Sequence, residues 1–284
     1  MFETPNARFL IMALFLLGMI SCSRAVVTTP DVQVVSAERI TLDPNDNVWD
    51  AAPLHSSKLI LQDLVDPRLM EPSTQEVFVK AVMQGGTIAF RIEWADASQN
   101  DLPGPRDFVD AAAVQLPVKI EASVPAPQMG EAGKRVEISY WRADWQAVVD
   151  GRADEIAALH PNASVDHYPF QAKPLENDPN ARARAEFRYS PARALGNDRS
   201  GPRVNPVEDL IAEGPGTLSP GPNAWSKGKG VRTKNGWAIV LTRPVPDGFS
   251  QSSPTQIAFA VWEGTHQEAG ARKMRTGWVQ MLQK

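Results

Sequence analysis

The 284-residue chain has a single cysteine, Cys22, so no disulfide can brace it. It has three tyrosines and four histidines, and His55, His160, His167 and His266 are scattered with no i,i+4 pair. That scarcity excludes zinc sites of the Cys/His type. No H-E-x-x-H, Walker loop, nucleophile elbow or dinucleotide fingerprint occurs, so no hydrolase or nucleotide-dependent class has its motif. No segment keeps a 3.6-residue apolar period over three turns, which excludes a helical bundle. An excess of positive charge is also missing. The formal net charge of −4 argues against nucleic acid as a partner.

The one long apolar run is N-terminal. "RFLIMALFLLGMISC", residues 8–22, has Arg8, an apolar stretch of signal-peptide length and then small residues. A membrane anchor is the competing reading of that run. Residues 1–25 are read as a signal peptide or lipoprotein signal, and residues 26–284 as a single domain. "MISC" resembles a loose lipobox ending at Cys22, and "SRA", residues 23–25, is the competing cleavage site. Either cut places the mature protein in the periplasm, with lipid on Cys22 as a membrane tether in the first case.

What the chain has is turns, 24 Pro and 19 Gly, and 8 Trp. Between the turns lie short β-branched and aromatic runs: "DVQVVSAERITLD", "SSKLILQDLV", "EVFVKAVMQGGTIAFRIEWAD", "AAAVQLPVKI", "KRVEISYWRADW", "GWAIVLTRPV", "TQIAFAVWEG" and "TGWVQMLQ". Gly85-Gly86 and "KNG" at 234–236 predict hairpins, and Trp49 is expected to be buried. Pro117 suggests an edge or a bulge. Residues 206–214, "PVEDLIAEG", read as a short helix. The Pro/Gly/Arg-rich stretch 150–225 is too long for an ordinary loop and is expected to have its own fold or a ligand to wrap. The fold class is all-β: a β-sandwich of two mainly antiparallel sheets with long loops and a few short helices. "KGKGVRTKNG" lies between strands, which makes it a poor phosphate loop, and His167 reads as a loop residue.

"DAAAVQLPVKI", "PQMG", "VEISYWRADWQ", "PVEDLIAEGPGTL", "GWAIVLTRPV", "IAFAVWEG" and "ARKMRTGW" follow one another in an order that resembles the ethylbenzene-dehydrogenase-type haem-binding domain. That family includes the haem b (γ) subunits of ethylbenzene dehydrogenase, dimethylsulfide dehydrogenase and the selenate and chlorate reductases. The similarity spans roughly residues 35–282.

The resemblance implies a β-sandwich with haem b held non-covalently in a pocket; a single cysteine cannot form C-x-x-C-H. It implies a methionine and a lysine as axial iron ligands. Met129 stands in the "P-x-M-G" turn and Lys273 in the "RK" pair. A thioether favours ferrous iron. A lysine can ligate only as the neutral amine, so burial, the iron's charge and cationic neighbours must depress its pKa from about 10.4. Arg272 and Arg275 are those neighbours and are candidates to pair with haem propionates. Met274 is expected in the core or against the pocket, and His266 is the alternative ligand.

The resemblance further implies a non-catalytic electron-transfer subunit. It would pass electrons between the iron–sulfur β subunit of a periplasmic molybdenum oxidoreductase, whose α subunit carries the molybdenum, and an external cytochrome c or quinol. Stretch 150–225 would then cover the haem and meet the partner. The alternative reading is a haem-free carbohydrate- or ligand-binding β-sandwich module, with tryptophans stacking on sugars.

Overall fold

The structure is a computed structural model that describes residues 27–153, 156–163, 177–189, 191–195, 197, 203–221 and 225–284. The targeting segment with Cys22, and His167, lie outside the described residues.

Among the described residues, fourteen strands form two sheets that share one strand. The first sheet runs β10 (Lys227–Arg232), β11 (Gly236–Pro244), β5 (Thr87–Ala95), β4 (Glu76–Gln84), β1 (Val32–Ser36), β14 (Val279–Gln283) and β12 (Thr255–Trp262), with β2 (His55–Lys58) also on β4. The second runs from β12 through β6 (Ala111–Pro117), β7 (Val136–Arg142) and β8 (Val207–Ala212) to β9 (Ser219–Pro220). Short strands β13 (Met274–Arg275) and β3 (Ile60–Leu61) extend it beyond β12. Strand β12 crosses over: Thr255–Ile257 pair with β14, and Ala258–Trp262 pair with β6. Every strand pair is antiparallel except β1 with β14 and β1 with β4. The expected sandwich of mainly antiparallel sheets is the architecture found.

Alternation along the strands builds the core. Val77, Val79 and Ala81 of β4, Phe90, Ile92 and Trp94 of β5, and Trp237, Ile239 and Leu241 of β11 face Ala112, Val114 and Leu116 of β6 and Phe259 and Val261 of β12. Trp141 of β7 lies between Trp94 and Trp237, with ring centroids 6.2 and 5.1 Å away in edge-on contacts. Each buried Val, Leu, Ile or Phe among these contributes about 1.5–3 kcal/mol by leaving water. Trp49 is buried as expected, under the outer face of the first sheet with Val82, Ala89 and Val240.

Both hairpins form where glycine predicts them, β4–β5 across Gly85-Gly86 and β10–β11 up to Gly236. Three expectations are corrected. Residues 206–214 are not a helix, since Val207–Ala212 form strand β8 on β7. Val207, Leu210 and Ala212 are buried there, so sheet pairing overrides the Pro-to-Gly helix signature. The end of "KRVEISYWRADW" leaves the sheet, with β7 stopping at Arg142 and helix α1 (Ala143–Val149) following. Strand β6 is not at an edge; Pro117 closes it and pairs with Val136.

Candidate functional site

All seven residues of β6 are buried, so the second sheet is covered on both faces. An antiparallel sheet facing water would carry polar residues outside. Here the outer face bears Ala111, Ala113, Val136, Ile138, Leu210, Ala212 and Trp262, with Met129, Tyr140, Ala260 and Trp278 packed on them. The register sets Ala260 beside Ala113 and Ala113 beside Tyr140, and in the next row Ala258 beside Gln115 and Gln115 beside Ile138. The small side chains Ala113, Ala258 and Ala260 form a low floor bordered by Trp262, Tyr140, Ile138 and Leu210. Above it is a cavity of about 380 Å³, a size typical of sites for small molecules and cofactors, roughly 300–1,000 Å³.

Met129 enters from the loop between β6 and β7. The loop is tied to the sheet: Gln115 Nε2 donates to the Pro127 carbonyl at 3.0 Å and Trp278 Nε1 to that of Pro125 at 2.6 Å. The Gly214 N–H donates to the Met129 carbonyl at 2.8 Å. Met129 has φ 69°, one of two non-glycine residues with positive φ among those described. Such a backbone costs about 1–2 kcal/mol and persists where its surroundings enforce it. Gly130 follows at φ 82°, and a Cβ there would lie 2.7 Å from the Lys134 carbonyl oxygen.

Lys273 enters from the other side, immediately before β13. Its carbonyl accepts from the Gln62 N–H at 3.1 Å, and the side chain is buried, 8% exposed. The amine reaches the Met129 Sδ at 3.9 Å and stands 4.9 Å from the centroid of the Trp262 ring. Among the described residues no carboxylate forms an ion pair with it. Burial, and secondarily the Arg275 charge, push its pKa down to about 8.

The two arginines part company. Arg275 lines the cavity, donating from Nε to Gln62 Oε1 at 2.9 Å, and burial lowers its pKa against the opposing pull of Asp63. Arg272 is not in the cavity wall; its guanidinium lies 5.4 Å over Phe108. Met274 is a core residue, 1% exposed. His266 binds the Glu263 carboxylate at 3.0 Å, away from the cavity lining. His55 is buried between the Thr29 carbonyl and Ser57, and His160 is exposed.

Sequence reading missed Gln62, Ile138, Tyr140, Arg142, Leu210 and Trp262 as lining residues. The available signal was β7, where Ile138, Tyr140 and Arg142 alternate with Ser139 and Trp141, so both faces are bulky. Stretch 150–225 contributes Leu210, Pro215, Gly216 and Leu218 to the wall; its residues 164–176 lie outside the described residues. None of the eight tryptophans is fully exposed; six are buried, Trp225 and Trp278 are half-buried, and Trp262 lines the cavity.

Three comparisons bear on this site. The ethylbenzene dehydrogenase family profile matches residues 46–274. A Haloferax mediterranei protein described as a respiratory nitrate reductase heme subunit is 23% identical over 254 residues, 87% of this chain and 70% of its own. The chlorate reductase subunit gamma of Ideonella dechloratans is 24% identical over 247 residues, 84% of this chain and 78% of its own. Among solved structures, a family 9 carbohydrate-binding module from Caldicellulosiruptor kristjanssonii in complex with cellotriose gives a TM-score of 0.42 at 8% identity, over 89% of this chain and 93% of that one. A likeness of that size has no bearing on ligand or chemistry. The resemblance read from the ordered motifs and the profile agree: the chain belongs to the ethylbenzene dehydrogenase family.

Proposed function

We propose that the protein is a haem b electron-transfer subunit, with Met129 and Lys273 as the axial ligands. The observation that carries this reading is the meeting of a thioether and an acid-free, buried amine 3.9 Å apart over an alanine floor. Among the described residues no group of three or more His, Cys, Asp or Glu could hold a bare ion. Two protein donors suit a metal whose other positions a macrocycle already fills. The 3.9 Å separation puts both donors within reach of a single metal.

Haem b bound there supplies a reversible one-electron couple. The chain's residues tune and hold it. Lys273 presents a nitrogen whose proton burial has already weakened. Met129 presents a soft sulfur that favours the reduced metal. Arg275, without a carboxylate ion-pair partner among the described residues, is available for a propionate, and the alanine floor gives a flat ring room. Arg272 is the more distant candidate for a second propionate.

The names of the two relatives support a place in a reductase complex. On this reading electrons pass between the iron–sulfur subunit of a molybdenum enzyme and a cytochrome c or quinol, and this chain makes no substrate bond. The targeting segment supports export to the periplasm, with lipid on Cys22 as the alternative to cleavage at 23–25. The purified native protein should show a Soret band that persists through gel filtration and is removed by acid–ketone extraction. A colourless protein that does not bind added haemin overturns the reading. Co-purification of iron and molybdenum with a tagged chain tests the complex, and intact mass of the native chain tests the export.

A further inference from the structure

The loop that delivers Lys273 holds a buried acid with no part in the cavity wall. Strand β12 ends at Trp262 and β13 begins at Met274. Between them Glu268, five residues ahead of Lys273, is 1% exposed. One of its oxygens accepts from the Glu263 N–H at 3.0 Å, closing the loop on itself. The other accepts from the Ser73 hydroxyl, in the segment leading into β4. Burying a carboxylate on two neutral donors is costly, so the arrangement has to be held by the loop around it.

The first half of the loop is gripped independently. The Gly264 N–H donates to Asp110 Oδ1 at 2.9 Å, and a Cβ at Gly264 would collide with the Phe108 carbonyl and Asn100. Thr74 donates to the Glu263 carboxylate at 3.3 Å. Gln267, at φ 58°, then turns the chain so that Glu268 points inward. Beyond it, Trp262 Nε1 donates to the Gly270 carbonyl at 3.1 Å. Glu268 is therefore the side chain that ties the half of the loop nearest Lys273 to the segment before β4.

Resting on Lys273 as an iron ligand, we infer that Glu268 is a positioning residue: its bonds to Ser73 and Glu263 fix where the chain re-enters as β13, and so where the lysine amine stands relative to Met129.

The test uses the haem-loaded full chain and reads the ferric spin state and the affinity for added imidazole, which competes for a loosened position. Glu268→Ala should keep haem, lose part of its low-spin spectrum and bind imidazole about tenfold more tightly, a change worth about 1.4 kcal/mol. Glu268→Gln should restore most of the wild-type behaviour, because its amide can accept from Glu263 N–H and donate to Ser73. Ser57→Ala, a buried hydroxyl on β2 against His55, controls for lost stability alone and should leave both readouts unchanged. A wild-type spectrum and imidazole affinity in Glu268→Ala, or equal changes in Ser57→Ala, overturn the inference. Should Glu268→Ala not fold, Ser73→Ala is held to the same criterion. Lys273→Ala separates the layers: if it keeps the low-spin spectrum, the ligand assignment itself fails; if it loses it while Glu268→Ala does not, only the positioning role fails.

Discussion

Lys273 Nζ donates toward Met129 Sδ across 3.9 Å, although 144 positions separate the two residues in the chain. A charged lysine gains little from a thioether, a weak acceptor. With no acid among the described residues paired to the amine, the contact is a poor structural interaction, yet both backbones are held firmly: Met129 by Gly214, Lys273 by Gln62. A pair kept in place at a stability cost is what a binding site looks like.

Replacing Lys273 with Ala should therefore convert the haem-loaded protein to a high-spin or haem-poor form. Met129→Ala should lower the midpoint potential, because the donor that favours ferrous iron is gone. His266→Ala should leave the spectrum unchanged, since His266 binds Glu263 outside the cavity. Absorption and near-infrared magnetic circular dichroism of the oxidised protein check all three. A low-spin spectrum that survives Lys273→Ala and disappears in His266→Ala would reassign the ligand.

The haem-free protein should carry the same lysine as a pH-dependent strain. Its pKa falls from 10.5 to about 8 on folding, so below pH 8 the amine is charged in both states and the full cost of burying it is present. Between about 8 and 10.5 the folded state releases the proton while the unfolded state keeps it. Stability should then rise with pH, by about 3 kcal/mol in total. Urea titrations of wild type against Lys273→Met measure it: the difference between the two proteins should narrow from pH 8 to 10.5 and be constant below pH 7.

The sandwich was legible because its signals are local. Gly85-Gly86 and "KNG" set two hairpins, and β-branched alternation in β4, β5 and β12 marks the strands. Met129 and Lys273 were legible only through the ordered family motifs, since neither a turn methionine nor a lysine between arginines is unusual alone. What the sequence hid depends on pairing. Val207–Ala212 carries a helix signature and becomes a strand because β7 offers it a ladder. The alanines of the floor look like filler until the register aligns Ala113 with Ala260. Tyr140 and Trp262 enter the site by facing outward from a sheet whose outer side an isolated strand cannot reveal.

Gly130→Ala should be more damaging than Gly133→Ala. Both glycines have positive φ, 82° and 78°, so each substitution carries backbone strain of about 1 kcal/mol. Only at Gly130 does the new methyl meet backbone oxygens, those of Lys134 and Ala212. That substitution should cost about 2–3 kcal/mol and also displace Met129. Denaturant unfolding should separate the two variants, and the loss of low-spin character should follow Gly130→Ala alone.

The floor gives the sharpest test of what the cavity holds. Ala113 and Ala260 are cross-strand neighbours on β6 and β12, and both line the cavity. Leucine at either position would rise into space that the haem-free protein leaves open, so it adds apolar contact without forcing the sandwich apart. Stability of the haem-free protein should change by less than about 1 kcal/mol, or increase. A flat macrocycle resting on the alanines would lose its place. Ala113→Leu and Ala260→Leu should each weaken haemin binding by more than about tenfold, which corresponds to about 1.4 kcal/mol. Ala112→Leu is not an equivalent control, because Ala112 points into the core between the sheets and its enlargement should itself destabilise the fold, by about 1–3 kcal/mol. Haemin titration followed by Soret absorbance, beside thermal unfolding of the same samples, reads both quantities. Unimpaired haemin affinity in both floor variants would place the ligand away from the alanines and Lys273 with it.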